Sequence, residues 1–140
     1  MNINLILFVM LNVFTSCDRS KEVHNFVVTE YQKVGKGYQY SNDVLKYQGN
    51  EYKPLVSSEY FNDTLTTVWV YKSEGKISYS KAELNSDLAL KKMMNLIENR
   101  KIEQKEEVLI DNGKSYQILE SKKDSIFCKN KDNLILYHIQ

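Results

Sequence analysis

The spacing of apolar positions changes character along this chain, and each change predicts a different element. Residues 3–14 form a continuous run, apolar except at Asn4 and Asn12. Between residues 23 and 79 the apolar side chains come in short runs rich in β-branched and aromatic residues, the pattern of strands. Residues 23–31 (VHNFVVTEY) predict a first strand, ended by the glycines of KVGKGYQY. VLKYQGNEYKPL predicts a hairpin with Gly49 first in its turn, and Pro54 should confine the second arm to an edge or an end. Residues 65–71 (LTTVWVY) read as a strand that turns at Ser73-Glu74-Gly75-Lys76 into residues 77–79.

The period then lengthens. Leu90, Met93, Met94 and Ile97 fall at i, i+3, i+4 and i+7, which places them on one helical stripe, widened by Leu88, Ala89 and Leu96. Ser86 or Asn85 can cap this helix, with Asp87 in its first turn. Two adjacent methionines on such a stripe serve as core fillers.

After the polar KIEQKEE, alternation returns as a four-strand meander. A three-residue Asp111-Asn112-Gly113 loop would put Val108, Ile110, Tyr116 and Ile118 on one face, whereas a two-residue Asn112-Gly113 turn would divide them, so the pattern favours the longer loop. A three-residue loop at Lys122-Lys123-Asp124 aligns Ile118 with Cys128, and a two-residue loop at Lys131-Asp132 aligns Cys128 with Ile135. Ile126, Tyr137 and Ile139 then join the core face, while Leu119, Phe127, Leu134, Leu136 and His138 take the other. The fold class these elements predict is α+β: an antiparallel β-meander sheet of about six to eight strands with one main helix packed on one face.

Charge narrows the partners. The 140 residues carry 19 basic and 18 acidic side chains, net +1, without a basic block that would neutralise phosphates along a nucleic acid. Ten tyrosines and one proline describe an ordered, strand-rich chain.

The apolar run at 3–14 is shorter than the roughly 20 residues a helix needs to cross a bilayer. It has the length of a signal-peptide apolar region, and the small residues Thr15 and Ser16 follow it directly, then Cys17. Phe14-Thr15-Ser16-Cys17 resembles the lipobox of bacterial lipoproteins. That resemblance implies cleavage before Cys17, a diacylglyceryl thioether on its sulfur and acylation of its amine. It divides the chain into a signal peptide at 1–16, a lipidated N-terminus and tether at 17–22, and a single α+β domain at 23–140. The product would be a membrane-anchored lipoprotein facing a periplasm or the cell surface.

Candidate chemistry in the mature part is sparse. Gly35 and Gly37 lack the following helix start and GK[ST] of a phosphate loop, and Asn62-Asp63-Thr64 lacks the spacing of a calcium loop. Cys128 and His138 are the only Cys and His close in sequence, but the register above leaves His138 three strand positions from Cys128, about 10 Å, on the opposite face. His138 instead falls opposite Ser125, with Asp124 or Asp132 as the candidate orienter, and this Ser-His pair is the arrangement a small hydrolase could use. Glu106 and Glu107 point to opposite faces of a strand, the wrong geometry for shared acid-base work. No catalytic residue, metal site or cofactor is predicted. Tyrosines concentrate in the first two-thirds of the domain, and Tyr38, Tyr40 and Tyr60 are the candidate partner-binding residues. The function these readings imply is a non-enzymatic binding module at the cell envelope, of inhibitor, immunity or exclusion type, recognising a protein or glycan. A structural or assembly lipoprotein is the alternative.

Overall fold

The computed structural model describes residues 20–35, 39 and 43–140. Within them the chain is mostly β, with 63% of residues in strands and 10% in helix, and the sheet is a curled antiparallel half-barrel. The strands are β1 (Ser20–Val23), β2 (Phe26–Val34), β3 (Leu45–Tyr47), β4 (Asn50–Phe61), β5 (Thr64–Lys72), β6 (Gly75–Ser80), β7 (Ile102–Lys105), β8 (Val108–Asp111), β9 (Lys114–Ser121), β10 (Ser125–Asn130) and β11 (Asn133–Ile139). Their order across the sheet is β1-β7-β8-β9-β10-β11-β2-β4-β5-β6, with β3 added to the edge of β4. Strand β1 thus takes up residues assigned to the tether, its four positions paired to β7 from Ser20↔Lys105 to Val23↔Ile102.

Three bulges supply curl, because each extra residue sharpens local twist. Leu55 is extra between the pairs Glu30↔Val56 and Tyr31↔Pro54. Thr66 is extra between Glu59↔Thr67 and Tyr60↔Leu65. Leu119 is extra between Phe127↔Glu120 and Cys128↔Ile118. The first of these explains Pro54, which was expected at an edge or an end and instead lies inside a twelve-residue strand. On one side it adjoins the bulge; on the other it falls in the gap between β3, whose pairing ends at Tyr52, and β5, whose pairing begins at Val56. A residue without an N–H is tolerated where the ladder is already interrupted.

The expected single main helix does not form. Two short helices occupy that stretch, α1 (Lys81–Ser86) and α2 (Leu88–Met93). Ser80 caps α1 in a reciprocal capping box with Glu83, and Asp87 caps α2 by accepting from the Leu90 N–H at 3.0 Å. Because Asp87 has extended-side angles (φ −119°, ψ 81°), it ends one helix as it starts the next. Asn95 at φ 50° then stops α2. The apolar stripe is divided accordingly: Leu90, Met94 and Leu96 pack on the core beside the buried Leu84 of α1, while Leu88 and Met93 are exposed.

The core lies on the concave side, since one buried cluster joins Val23 and Ile102 near one edge to Val68 near the other, through Phe26, Val28, Tyr60, Ile126, Cys128, Ile135 and Tyr137. After α2 the chain crosses the end of the half-barrel as a strap. Leu65 N–H donates to the Glu98 carbonyl and Arg100 N–H to the Asp63 carbonyl, both at 2.8 Å. It then enters a meander of five strands, β7 to β11, because IEQK of the polar run pairs as β7.

Two register expectations hold and one fails. Cys128 lies opposite Ile135 and Ser125 opposite His138. Cys128 also faces Ile118, although the loop before β10 is one residue longer than expected and the Leu119 bulge restores the alignment. Strands β8 and β9 are joined by the two-residue turn Asn112-Gly113, both residues at positive φ, with Asp111↔Lys114 and Leu109↔Tyr116. Leu109 and Asp111 therefore point inward, and Val108 and Ile110 do not. Asn-Gly is the preferred two-residue turn, and the inward position at 111 is filled by a carboxylate that has partners there.

Candidate functional site

Cys17, Tyr38 and Tyr40 lie outside the described residues. Tyr60, the third candidate partner-binding tyrosine, is a core residue at 1% exposure, which corrects that expectation. Its ring stacks on Phe26 with centroids 4.9 Å apart, and its hydroxyl donates to the Ile97 carbonyl at 2.8 Å. The side chain fastens the strap to the sheet, and burial holds its phenol above the ordinary range. Cys128 is a free, fully buried thiol pushed up to about 12 by burial and by the Asp111 charge. It shares no face with His138, and Ser125 and His138 meet in register without a side-chain hydrogen bond.

The concave interior carries a polar cluster that sequence reasoning missed. Arg100 Nε donates to Asp111 Oδ1 at 2.7 Å and Nη2 donates to Oδ2, a two-point pairing, while the Tyr137 hydroxyl donates to Oδ2 at 2.6 Å. Burial works against the Arg100 cation, yet hydrogen bonding and charge from Asp111 hold it above the usual guanidinium value. Burial and the same carboxylate push the Tyr137 phenol far up. The Arg100 guanidinium also lies 5.7 Å from the Tyr60 ring centroid. Both carboxylate oxygens are used, so the chemistry of this cluster is mutual satisfaction.

A cleft of about 240 Å³ lies at the corner between β1 and β2, lined by Glu22, His24, Asp63, Lys101 and Glu103. His24 Nδ1 is 3.1 and 3.0 Å from the two Asp63 oxygens, and Nε2 is 3.7 Å from Glu22. The Asp63 N–H donates to the His24 carbonyl at 3.0 Å, and the Asn62 N–H to Asn25 Oδ1 at 3.0 Å. These bonds clip the β1–β2 corner to the β4–β5 turn, whose Asn62 and Asp63 are both at positive φ. Among the described residues, no three His, Cys, Asp or Glu side chains are grouped to hold a metal ion.

The convex face of the sheet gathers a second set of aromatics, Tyr31, Tyr47, Trp69, Tyr71 and Phe127. Thr29 and Ser57, register partners on β2 and β4, share a hydroxyl hydrogen bond at 2.7 Å, and Ser57 Oγ donates to the Tyr71 hydroxyl at 3.2 Å. Trp69, two residues before Tyr71 on the same face of β5, lies beneath the Lys76 ammonium at 5.9 Å. Tyr47 stacks on Phe127 with centroids 6.4 Å apart, and Tyr31 has its phenol raised by burial, with smaller effects from Tyr71 and Asp43. Trp69 and Tyr71 are half-buried, so each presents one side to solvent while the sheet fixes the other. Alternation of TTVWVY identifies this pair in the sequence, whereas the tyrosines singled out by density alone included a core residue. No family model, no curated protein and no solved structure matches the chain.

Proposed function

We propose that the protein is a lipid-anchored binding module of the bacterial cell envelope, held to the membrane through Cys17 and contacting a protein or glycan partner through its convex sheet face. The observation that carries the anchor is Phe14-Thr15-Ser16-Cys17 directly after the apolar run of residues 3–14. A diacylglyceryl group with a third acyl chain gives stable anchoring, since each buried CH2 contributes about 0.8 kcal/mol. The recognition surface is Trp69 and Tyr71, large amphipathic rings fixed by hydrogen bonding and by the sheet, which supply contact area at small entropic cost.

Metabolic labelling with a fatty-acid analogue tests the anchor. Wild-type protein incorporates the label and Cys17→Ala does not; label retained in the variant would sink the proposal. For the binding face, Trp69→Ala with Tyr71→Ala abolishes partner capture from crosslinked cells while circular dichroism stays unchanged, and undiminished capture would remove this face from the reading.

A further inference from the structure

Strand β2 runs on beyond its last register pair with β11, Tyr31↔Leu134, and there the convex face opens into a cleft of about 220 Å³. Its walls are two hairpin tips, Gln48-Gly49 between β3 and β4 and Lys131-Asp132 between β10 and β11. Gln48, Gly49 and Lys131 are all at positive φ, so tight turns set the position of both walls. Tyr52 and Leu134, at 7% and 3% exposure, form an apolar floor. Lys33, Lys129 and Lys131 line the opening against a single lining carboxylate, Asp132, and none of the three is ion-paired with a described residue. Three lysines lining one concave site concentrate positive charge there, and an anion seated among them is attracted by all three.

We propose that this cleft binds a phosphate group. Lysine ammoniums are compact charges suited to a tetrahedral oxyanion, whereas a site selecting planar carboxylates would favour the arginine fork. The side-chain amides of Asn50 and Asn133 at the rim add neutral donors, and the Tyr52-Leu134 floor suits the organic part of a phosphoester. Two sources offer this chemistry, a lipid headgroup phosphodiester and a soluble phosphate. Successive register partners Ser20, Lys105, Val108, Gln117 and Lys129 form one row across β1, β7, β8, β9 and β10. The cleft residue Lys129 therefore lies level with the start of β1, four interstrand steps or roughly 20 Å along the sheet from Ser20. An anchor at Cys17 would bring headgroups within reach, but the site itself does not depend on that anchor.

The test uses the full-length chain in zwitterionic detergent micelles, titrated with inorganic phosphate and separately with phosphatidylglycerol added to the micelles, followed by calorimetry and by the amide resonances of Asn50, Lys131 and Asn133. Saturable binding that shifts those resonances is expected, weakened about tenfold in Lys33→Gln/Lys129→Gln and further in the triple variant with Lys131→Gln. The side chains are exposed, so these variants fold; Lys123→Gln, an exposed residue in the β9–β10 loop at the opposite end of those strands, binds as wild type. Saturation by phosphatidylglycerol assigns the lipid source and saturation by phosphate the soluble one, either result supporting the site. Failure of both probes to saturate, or full affinity in the triple variant, overturns it.

Discussion

Asp111, at 3% exposure, determines which residues of β8 face the core. In the sequence it stands beside Asn112-Gly113 and reads as a loop residue; in the fold it accepts from Arg100 and Tyr137, and Leu109 follows it inward. An alternation rule that admits only apolar residues to a core assigns Val108 and Ile110 there, and one buried ion pair reverses the assignment. Asp111→Ala leaves the Arg100 cation largely buried without its partner and should cost about 3–5 kcal/mol in urea unfolding. Replacing both, Arg100→Met with Asp111→Leu, should cost clearly less; equal losses would show that the pairing is not what matters. Stability also has an alkaline limit. Cys128 is raised from 9.0 to about 12 in the folded chain, so below about pH 9 the thiol is protonated in both states and its contribution is complete. Between those values the unfolded chain releases its proton and the folded chain does not, and stability falls as pH rises. Tyr137 and Tyr60, raised from 10.0, act in the same direction. The urea midpoint should drop from pH 8 to pH 10.5, and by less in Cys128→Ala; an unchanged midpoint would contradict the assignment.

Elements were legible in the sequence where local turn chemistry and apolar alternation agree. Lys131-Asp132 and the pattern FCKN…NLIL both demand Cys128 opposite Ile135, and that is the register formed. Where the two signals disagree, the apolar pattern yields: at Asn112-Gly113 the preferred two-residue turn forms, and the partners of Asp111 make its inward position tolerable. Gly113→Ala, at φ 85° with open space around the added Cβ, should cost about 1 kcal/mol from backbone strain alone. The helical stretch failed differently, because periodicity reports which side chains share a stripe but is insensitive to a cap in the middle of it. Ser80 and Asp87 are both helix starts, and Asn95 a stop, within a region whose Leu90, Met94 and Ile97 spacing suggests continuity. Ser80→Ala should cost about 1 kcal/mol, measured by thermal unfolding, with no loss where α1 does not depend on its capping box.

At the scale of the molecule, the sheet curls far enough for its two edge regions to share one core, and the strap after α2 holds that closure. None of this was legible from periodicity, since Tyr60, Ile97 and Arg100 are brought together only when β4, the strap and β8 meet in space. Three hydrogen bonds attach the strap to the β4–β5 hairpin: Leu65 N–H to Glu98, Arg100 N–H to Asp63, and the Tyr60 hydroxyl to Ile97. The third is the one a side-chain substitution removes. Tyr60→Phe keeps the stack on Phe26 and deletes a single hydroxyl, at a cost of about 1 kcal/mol. If the strap opens as a local unit, that loss should appear as roughly fivefold faster hydrogen exchange at the Leu65 and Arg100 amides. Exchange at the β2, β4 and β11 amides, in the middle of the sheet, would then change only as much as global stability does. A uniform acceleration across all strands would mean that the strap and the sheet unfold together, and that Tyr60 stabilises the half-barrel as a whole rather than its closure.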